Sequence, residues 1–353
     1  MEIMTSTIQK ITKKWPTRGN EPNLTKTERS KEVEVLPGTE EPRTKRTSTQ
    51  DEGTTSIFFR TSYVDFVTKY KSFYMLGQGG FGSVFAGRRL ADKLPVAIKR
   101  IPQSCVKMHP VILNERRYRI PLEVLMMVKA GGGPELVGQS AAVSILNWYD
   151  LEHEVVLVME RPVTAVDLLQ YLKSNGPLGE DMAKIIMKQL VDAAIQMHAA
   201  RVFHRDIKAE NILIENRSHG PRVRVIDFGC ARIFRDVKSS YSGFSGTPAY
   251  APPEFFRDGT YKAGPTTVWQ LAALLYETLE GFSNFSTEAF IHQEIRVSYC
   301  LSRHCQEFLE MCLTLEPENR ATLEQMKRHP WLTDAAATST TPPPNCFTTC
   351  FPL

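Results

Sequence analysis

Hydrophobic positions along the chain fall into distinct regimes. Residues 1 to about 62 are rich in Thr, Ser, Pro, Lys and Glu, and their few apolar residues follow no period. Such a stretch buries too little surface to offset its ordering entropy, so disorder is expected there. From about Tyr70 to Met159 the pattern is strand-like, with Gly turns between β-branched runs such as Pro95-Val96-Ala97-Ile98 and Val155-Val156-Leu157-Val158. From Asp167 onward helical spacing dominates. Met182 to His198 carries Ile185, Ile186, Leu190, Ala193, Ala194 and Met197 on one stripe, and Leu271 to Leu279 reads as another apolar helix. Residues 334–353, mostly Ala, Thr and Pro before Cys-Phe-Thr-Thr-Cys-Phe-Pro-Leu, again read as an unstructured tail. A β-rich part followed by an α-rich part predicts an α+β fold with two lobes and a cleft between them. The folded unit is expected over 70–332, divided into a small lobe (70–160) and a larger helical lobe (161–332).

Composition narrows the function classes. Lys and Arg total 43 against 39 Asp and Glu, a net +4 over 353 residues. That excess is too small to make nucleic acid or an anionic membrane the main partner. Seven Cys without paired spacing argue against a disulfide framework and against a CxxC zinc site. With no apolar leader near Met1, a reducing, cytoplasmic setting is the simplest expectation. Apolar runs such as Leu271–Tyr276 are core-sized, far short of a membrane span. Arg43, Lys45 and Arg46 could act as a nuclear signal, although a solvated tail is the plainer reading. Cys350 sits four from the end like a prenylated Cys, but Pro352 and the lack of a basic run before it favour a plain tail.

The candidate chemistry begins at Gly77, Gly79 and Gly82, a G-x-G-x-x-G that alone is weak evidence. Here Ser83-Val84-Phe85 follows, a strand rather than a helix, so the glycines belong to a hairpin whose backbone N–H groups can approach phosphates. Lys99 ends the apolar strand Val96-Ala97-Ile98. A Lys there either snorkels to water or meets an anion. Further on come His204-Arg205-Asp206 with Lys208 and Asn211, then Asp227-Phe228-Gly229 after the apolar run Val223–Ile226, then Ala251-Pro252-Pro253-Glu254.

In this order and spacing the pieces resemble the protein kinases, over about Tyr70 to Leu332. The resemblance implies transfer of the ATP γ-phosphoryl group to protein Ser or Thr, with Mg²⁺. Lys99 would hold the α- and β-phosphates, paired with Glu123 on a helix beginning near Pro121; Glu115 is the alternative partner. Asn211 and Asp227 would ligate Mg²⁺. Asp206 would accept or orient the substrate hydroxyl proton, Lys208 would meet the γ-phosphate, and Thr247 would steady Asp206. The glycine-rich stretch Leu76, Gly77, Gln78, Gly79, Gly80, Phe81, Gly82, Ser83 and Val84 would cover the nucleotide. Leu76, Val84, Ala97 and Leu213 would wall the adenine, with Met159 behind it and Glu160-Arg161-Pro162 as the hinge. Each wall residue is equally a plain core position. Glu254 would pair with Arg320.

Pro162 has no N–H, so the hinge could offer adenine only the Glu160 carbonyl. That feature, Leu94-Pro95-Val96-Ala97-Ile98-Lys99, the extra Pro253 and Thr267 before Val268-Trp269 resemble the Pim kinases, which lack the Asp usual before Val-Trp. The resemblance implies protein substrates with Arg or Lys before the target, read by Asp167 and Glu210, and a monomer. Ala209 and Gln170 replace acidic positions, which weakens that preference. No acid follows Asp236 until after Gly246, so either a phosphate on Ser239, Ser240, Ser242 or Ser245, or packing alone, must hold the activation segment. The rival functions are a pseudokinase scaffold, to which Thr267 and Ala209 point, and a small-molecule kinase, against which Thr247 and the Ala-Pro-Pro-Glu segment argue.

Overall fold

A computed structural model of the protein describes residues 63–333 except 114–115, 219, 237 and 282–284. Both terminal tails, Glu115 and the extreme C-terminal cysteines therefore lie outside the described residues.

The chain enters through α1 (Tyr63–Lys69), a short helix not evident from the pattern, with Asp65 in its first turn and Lys69 in its last. Then come β1 (Tyr70–Gly79), β2 (Gly82–Arg89) and β3 (Pro95–Pro102). A hairpin of β4 (Met108–Leu113) and β5 (Arg116–Pro121) leads into α2 (Leu122–Gly131). Next are β6 (Ile145–Asp150) and β7 (Glu154–Glu160). Five of these strands form one sheet in the order β1-β2-β3-β7-β6. Strand periodicity sends alternate residues to opposite faces. On the inner face Ala97, Ile101, Leu157 and Met159 join a core that continues through α2 into the second lobe. On the outer face Val96, Ile98, Val156 and Val158 pack under Phe66 of α1, with Tyr70 and Tyr149. Lys99 shares the inner, apolar face with Ala97 and Ile101.

The second lobe opens with β8 (Ala165–Asp167) and α3 (Leu168–Asn175), whose first turn is capped by the Asp167 side chain accepting the Gln170 N–H. The predicted long helix is α4 (Glu180–Ala199). Ile186, Leu190, Ala193, Ala194 and Met197 are buried as the stripe predicts, whereas Ile185 lies 45% exposed on its edge. β9 (Val202–Phe203), β10 (Ile212–Arg217), β11 (Gly220–Val225) and β12 (Arg232–Ile233) carry the loops of the cleft, and β10 pairs with both β11 and β8. β13 (Ser240–Ser242), α5 (Pro253–Asp258) and β14 (Thr260–Lys262) precede α6 (Ala263–Glu280). The apolar run at Leu271 marks only the second half of α6. Its first half buries Thr266, Thr267 and Gln270, polar residues that hide a helix from hydrophobic periodicity. Then α7 (Thr287–Ile291), α8 (Arg303–Cys312), α9 (Leu323–Arg328) and α10 (Pro330–Thr333) close the lobe, α9 behind a capping box of Thr322 and Gln325.

Glu254 and Arg320, paired as expected, meet in a bidentate contact at 2.7 and 3.1 Å, both buried. Among the described residues Cys105, Cys230, Cys300, Cys305 and Cys312 are free thiols, and no described helix is long and apolar enough to cross a membrane.

Candidate active site

The sequence motifs converge on the cleft between the lobes. Lys99, only 5% exposed, donates to Glu123 Oε1 at 2.7 Å and to Asp227 Oδ1 at 2.8 Å. α2 starts at Leu122 with Pro121 as its N-cap, which places Glu123 in the first turn facing β3. Burial opposes the Lys99 charge, but attraction to Glu123 and Asp227 outweighs it and pushes the ammonium's pKa up. Burial pushes the Glu123 carboxyl up while Lys99 pulls it back. For Asp227, burial is likewise opposed and here exceeded by Lys99 and the Gly229 N–H, so its pKa falls below the usual range. Lys99 thus sits between two carboxyl groups, and that of Glu123 stays above its usual range because burial outweighs the pull of Lys99.

Asp227 stands at φ 60, where an Asp is tolerated in the left-handed region. The turn sends Phe228 into the core, its ring 5.0 Å from that of His204, and Asp227 the opposite way toward Lys99. His204 Nε2–H donates to the Ile226 carbonyl at 3.2 Å and Nδ1 faces the Asp206 N–H at 3.4 Å. That pattern suits a neutral imidazole, and burial lowers its pKa accordingly.

Asp206 is held from several sides. Thr247 donates its hydroxyl at 2.7 Å and its N–H at 2.8 Å to Oδ1. Asn211 Nδ2 bonds the Asp206 carbonyl at 2.8 Å and reaches Oδ2 at 3.2 Å. Lys208 Nζ donates to Thr247 Oγ1 at 3.0 Å and stands 3.5 Å from Oδ2. The Asn211 carbonyl accepts the Ile226 N–H at 2.9 Å, tying this loop to the residue before Asp227.

The glycine-rich hairpin forms as expected, with Gly79 opposite Gly82. Gly82 has φ 141, and a Cβ there would lie 2.1 Å from the Arg100 carbonyl, so only glycine fits. A Cβ at Gly77, Gly79 or Gly80 would meet nothing within 4 Å, leaving room for a ligand to approach their backbone. Phe81 leans inward, close enough that a Cβ on Gly229 would sit 3.1 Å from its ring. Gln78 and Ser83 line a different cavity of about 640 Å³ on the outer sheet face, with Phe85 and Arg100. Their side chains are thus on the wrong side for the nucleotide, and only their backbone remains available to it. Of the adenine walls, Ala97 is buried and Val84 packs on the inner core; Leu213 is half-buried on β10, and Leu76 is 46% exposed.

The hinge holds what the motifs did not disclose. Glu160 is a buried anchor as well as a carbonyl. Its Oε1 accepts the Ser144 N–H at 2.7 Å and an ion pair from Arg224, and its Oε2 accepts the Gly138 N–H at 2.7 Å. Arg224, 1% exposed, comes from β11 of the other lobe. The Arg161 N–H faces the Pro95 carbonyl at 3.4 Å and Pro162 has none, so no free hinge N–H follows Glu160. The activation segment rests on aromatic packing. Phe203, Phe234, Tyr241 and Tyr261 form a buried cluster joined by Phe244 and Phe255, and β13 pairs with β14. Arg205, 7% exposed, donates Nε–H to the Cys230 carbonyl at 2.6 Å.

The protein kinase domain family model matches residues 70–332. The chain is 33% identical over 274 residues to the serine/threonine-protein kinase pim-2 of Danio rerio, covering 77% of this chain and 87% of that protein. It is 34% identical over 272 residues to the serine/threonine-protein kinase prk-2 of Caenorhabditis elegans, covering 76% and 59% respectively. A PAS domain-containing serine/threonine-protein kinase of Mus musculus is 30% identical over 270 residues, 18% of its length. Together with the cleft geometry, these likenesses make the chain a member of the protein kinase family, an ATP-dependent enzyme of the serine/threonine class.

Proposed function

We propose that the enzyme phosphorylates Ser or Thr in proteins that carry Arg or Lys ahead of the target, as a cytoplasmic monomer. The observation that carries this reading is the meeting of Lys99, Glu123 and Asp227 beside the Asp206–Lys208–Asn211–Thr247 network. Asp227 Oδ2 and Asn211 Oδ1 remain after Lys99, Gly229 and Asp206 have taken the neighbouring atoms. Two hard oxygens on adjacent loops suit Mg²⁺. Bound Mg-ATP supplies the phosphoryl group and the cation charge that offsets its oxygens. Lys99, fixed by Glu123, grips the α- and β-phosphates. Asp206 Oδ1 is locked by Thr247, so the more loosely held Oδ2 takes or orients the proton of the incoming hydroxyl. Lys208 sets a positive charge beside the transfer path.

Basic preference rests on Glu210, which is exposed, and on Asp167, half-buried one strand away with one oxygen capping α3. A scaffold without turnover is the second reading, favoured by Thr267 and Ala209. Phosphotransfer to Ser peptides with and without preceding Arg tests both readings. Transfer that falls on replacing Arg with Ala supports the proposal. Equal transfer removes the basic preference, and none at all favours the scaffold.

A further inference from the structure

The polar residues in the first half of α6 are buried beside the catalytic loop, and only one of them reaches it. Thr267 Oγ1 gives its single proton to the Ala263 carbonyl at 2.8 Å, so the His198 contact at 2.9 Å must be Nε2–H donating to Thr267. Its hydroxyl is thus engaged within α6 and with α4. Gln270, one turn further on and fully buried, donates Nε2–H to the Arg205 carbonyl at 2.7 Å. A carbonyl can only accept, so the amide orientation is fixed by this bond. The other end, Oε1, finds no hydrogen-bond partner among the described residues. An orphaned buried acceptor is unfavourable for stability and calls for a functional explanation.

The Arg205 peptide is where such an explanation lies. Arg205 stands at φ 70, a left-handed conformation that a side chain of its size rarely adopts. Its carbonyl is crowded from the activation segment, since a Cβ on Gly246 would fall 2.3 Å from it. The next residue is Asp206, and the residue after Gly246 is Thr247, which holds Asp206 Oδ1.

We infer that Gln270 is a positioning residue for phosphoryl transfer: its amide fixes the strained Arg205 peptide and so sets the direction of the Asp206 carboxylate. The inference rests on the kinase reading above. A Gln270→Leu enzyme lacks the donor but keeps comparable volume. Its kcat on an Arg-containing Ser peptide is expected to fall about tenfold or more while KM for ATP stays within about twofold, because misplaced catalytic groups cost turnover before binding. Thr266→Val is the control, since Thr266 is equally buried on the same helix and its hydroxyl has no partner among the described residues. It should leave kcat within about twofold. Gln270→Glu gives a second readout. A buried carboxyl donates to the Arg205 carbonyl only when protonated, so turnover relative to wild type should recover as pH falls from about 8.5 to 6. Equal losses in Gln270→Leu and Thr266→Val, or a lowered turnover in Gln270→Glu that is flat with pH, would overturn the assignment. An inactive wild-type enzyme that still binds ATP would instead overturn the kinase reading beneath it.

Discussion

Two ion-pair clusters bridge the lobes, and they are finished differently. At the hinge, Glu160 and Arg224 are 5% and 1% exposed, and both Glu160 oxygens are occupied by Ser144, Gly138 and Arg224. In the cleft, Lys99 and Glu123 are equally buried, but the Asp227 side chain is 39% exposed and keeps an oxygen in hand. A charge removed from water is tolerated only with full compensation. The Glu160 carboxylate meets that condition internally, with Arg224 Nε left unpartnered among the described residues and facing no ligand cleft, so the hinge pair can serve architecture alone. The cleft cluster meets it only in part, and the remainder is what an incoming phosphate and cation would supply. Burial of charge therefore does not by itself mark a catalytic group; a carboxylate oxygen left open to the cleft does.

Substitutions on either side should separate cleanly. Asp206→Asn is expected to lower kcat about 10²–10⁴-fold with nucleotide affinity and melting temperature nearly unchanged, as read by peptide turnover and ATP titration. Ordinary turnover would remove the proton-accepting role. Arg224→Met should do the reverse. Stranding the Glu160 carboxylate costs about 3–5 kcal/mol in urea unfolding, with KM for peptide near wild type in the molecules that stay folded. A stable Arg224→Met protein with poor turnover would merge the two clusters into one functional unit.

Acid should distinguish them as well. Burial lowers the His198 pKa to about 4 and also depresses that of His204, and both lie under the catalytic loop rather than at the hinge. The unfolded chain takes these protons near pH 6.5 while the native state refuses them. Their contribution is thus complete above about pH 6.5 and lost as pH falls toward 4, with His198 accounting for on the order of 3 kcal/mol. Urea midpoints at several pH values should show the decline, and His198→Gln should flatten it. The smallest effect concerns phosphorylation. With Arg205 bonded to Cys230 and the activation segment packed through Tyr241 and Tyr261, phosphatase treatment is expected to leave kcat within about twofold. A sharp drop would mean that a serine phosphate supplies order that the aromatic cluster does not.

The cleft was readable because its residues sit in short strings whose spacing reports chemistry. Lys99 ends an apolar strand, Asp206 and Asn211 share one loop, and Asp227 follows an apolar run. The hinge pair was not, since its partners are 64 positions apart and each looks ordinary locally. Arg224 alternates with Val223 and Val225, a pattern that normally puts the charge in solvent. Gln270 is a single amide inside an apolar helix, and nothing in periodicity tells a buried amide from an exposed one. The β4–β5 hairpin was obscured by Pro, His and Arg interleaved with its apolar residues. In each case tertiary contact, absent from any local window, decides what the side chain does.

The small helix α1 has a consequence for where this molecule begins. Phe66 seals the outer sheet face against Tyr70 and Tyr149, with the Arg100 guanidinium 5.8 Å from its ring. A polypeptide trimmed to start at Tyr70 would retain every strand, the cleft and the stretch matched by the kinase family model, yet would bare Val96, Ile98 and Val158 to water. The family-model boundary and the start of α1 are seven residues apart, and a recombinant domain has to respect the second.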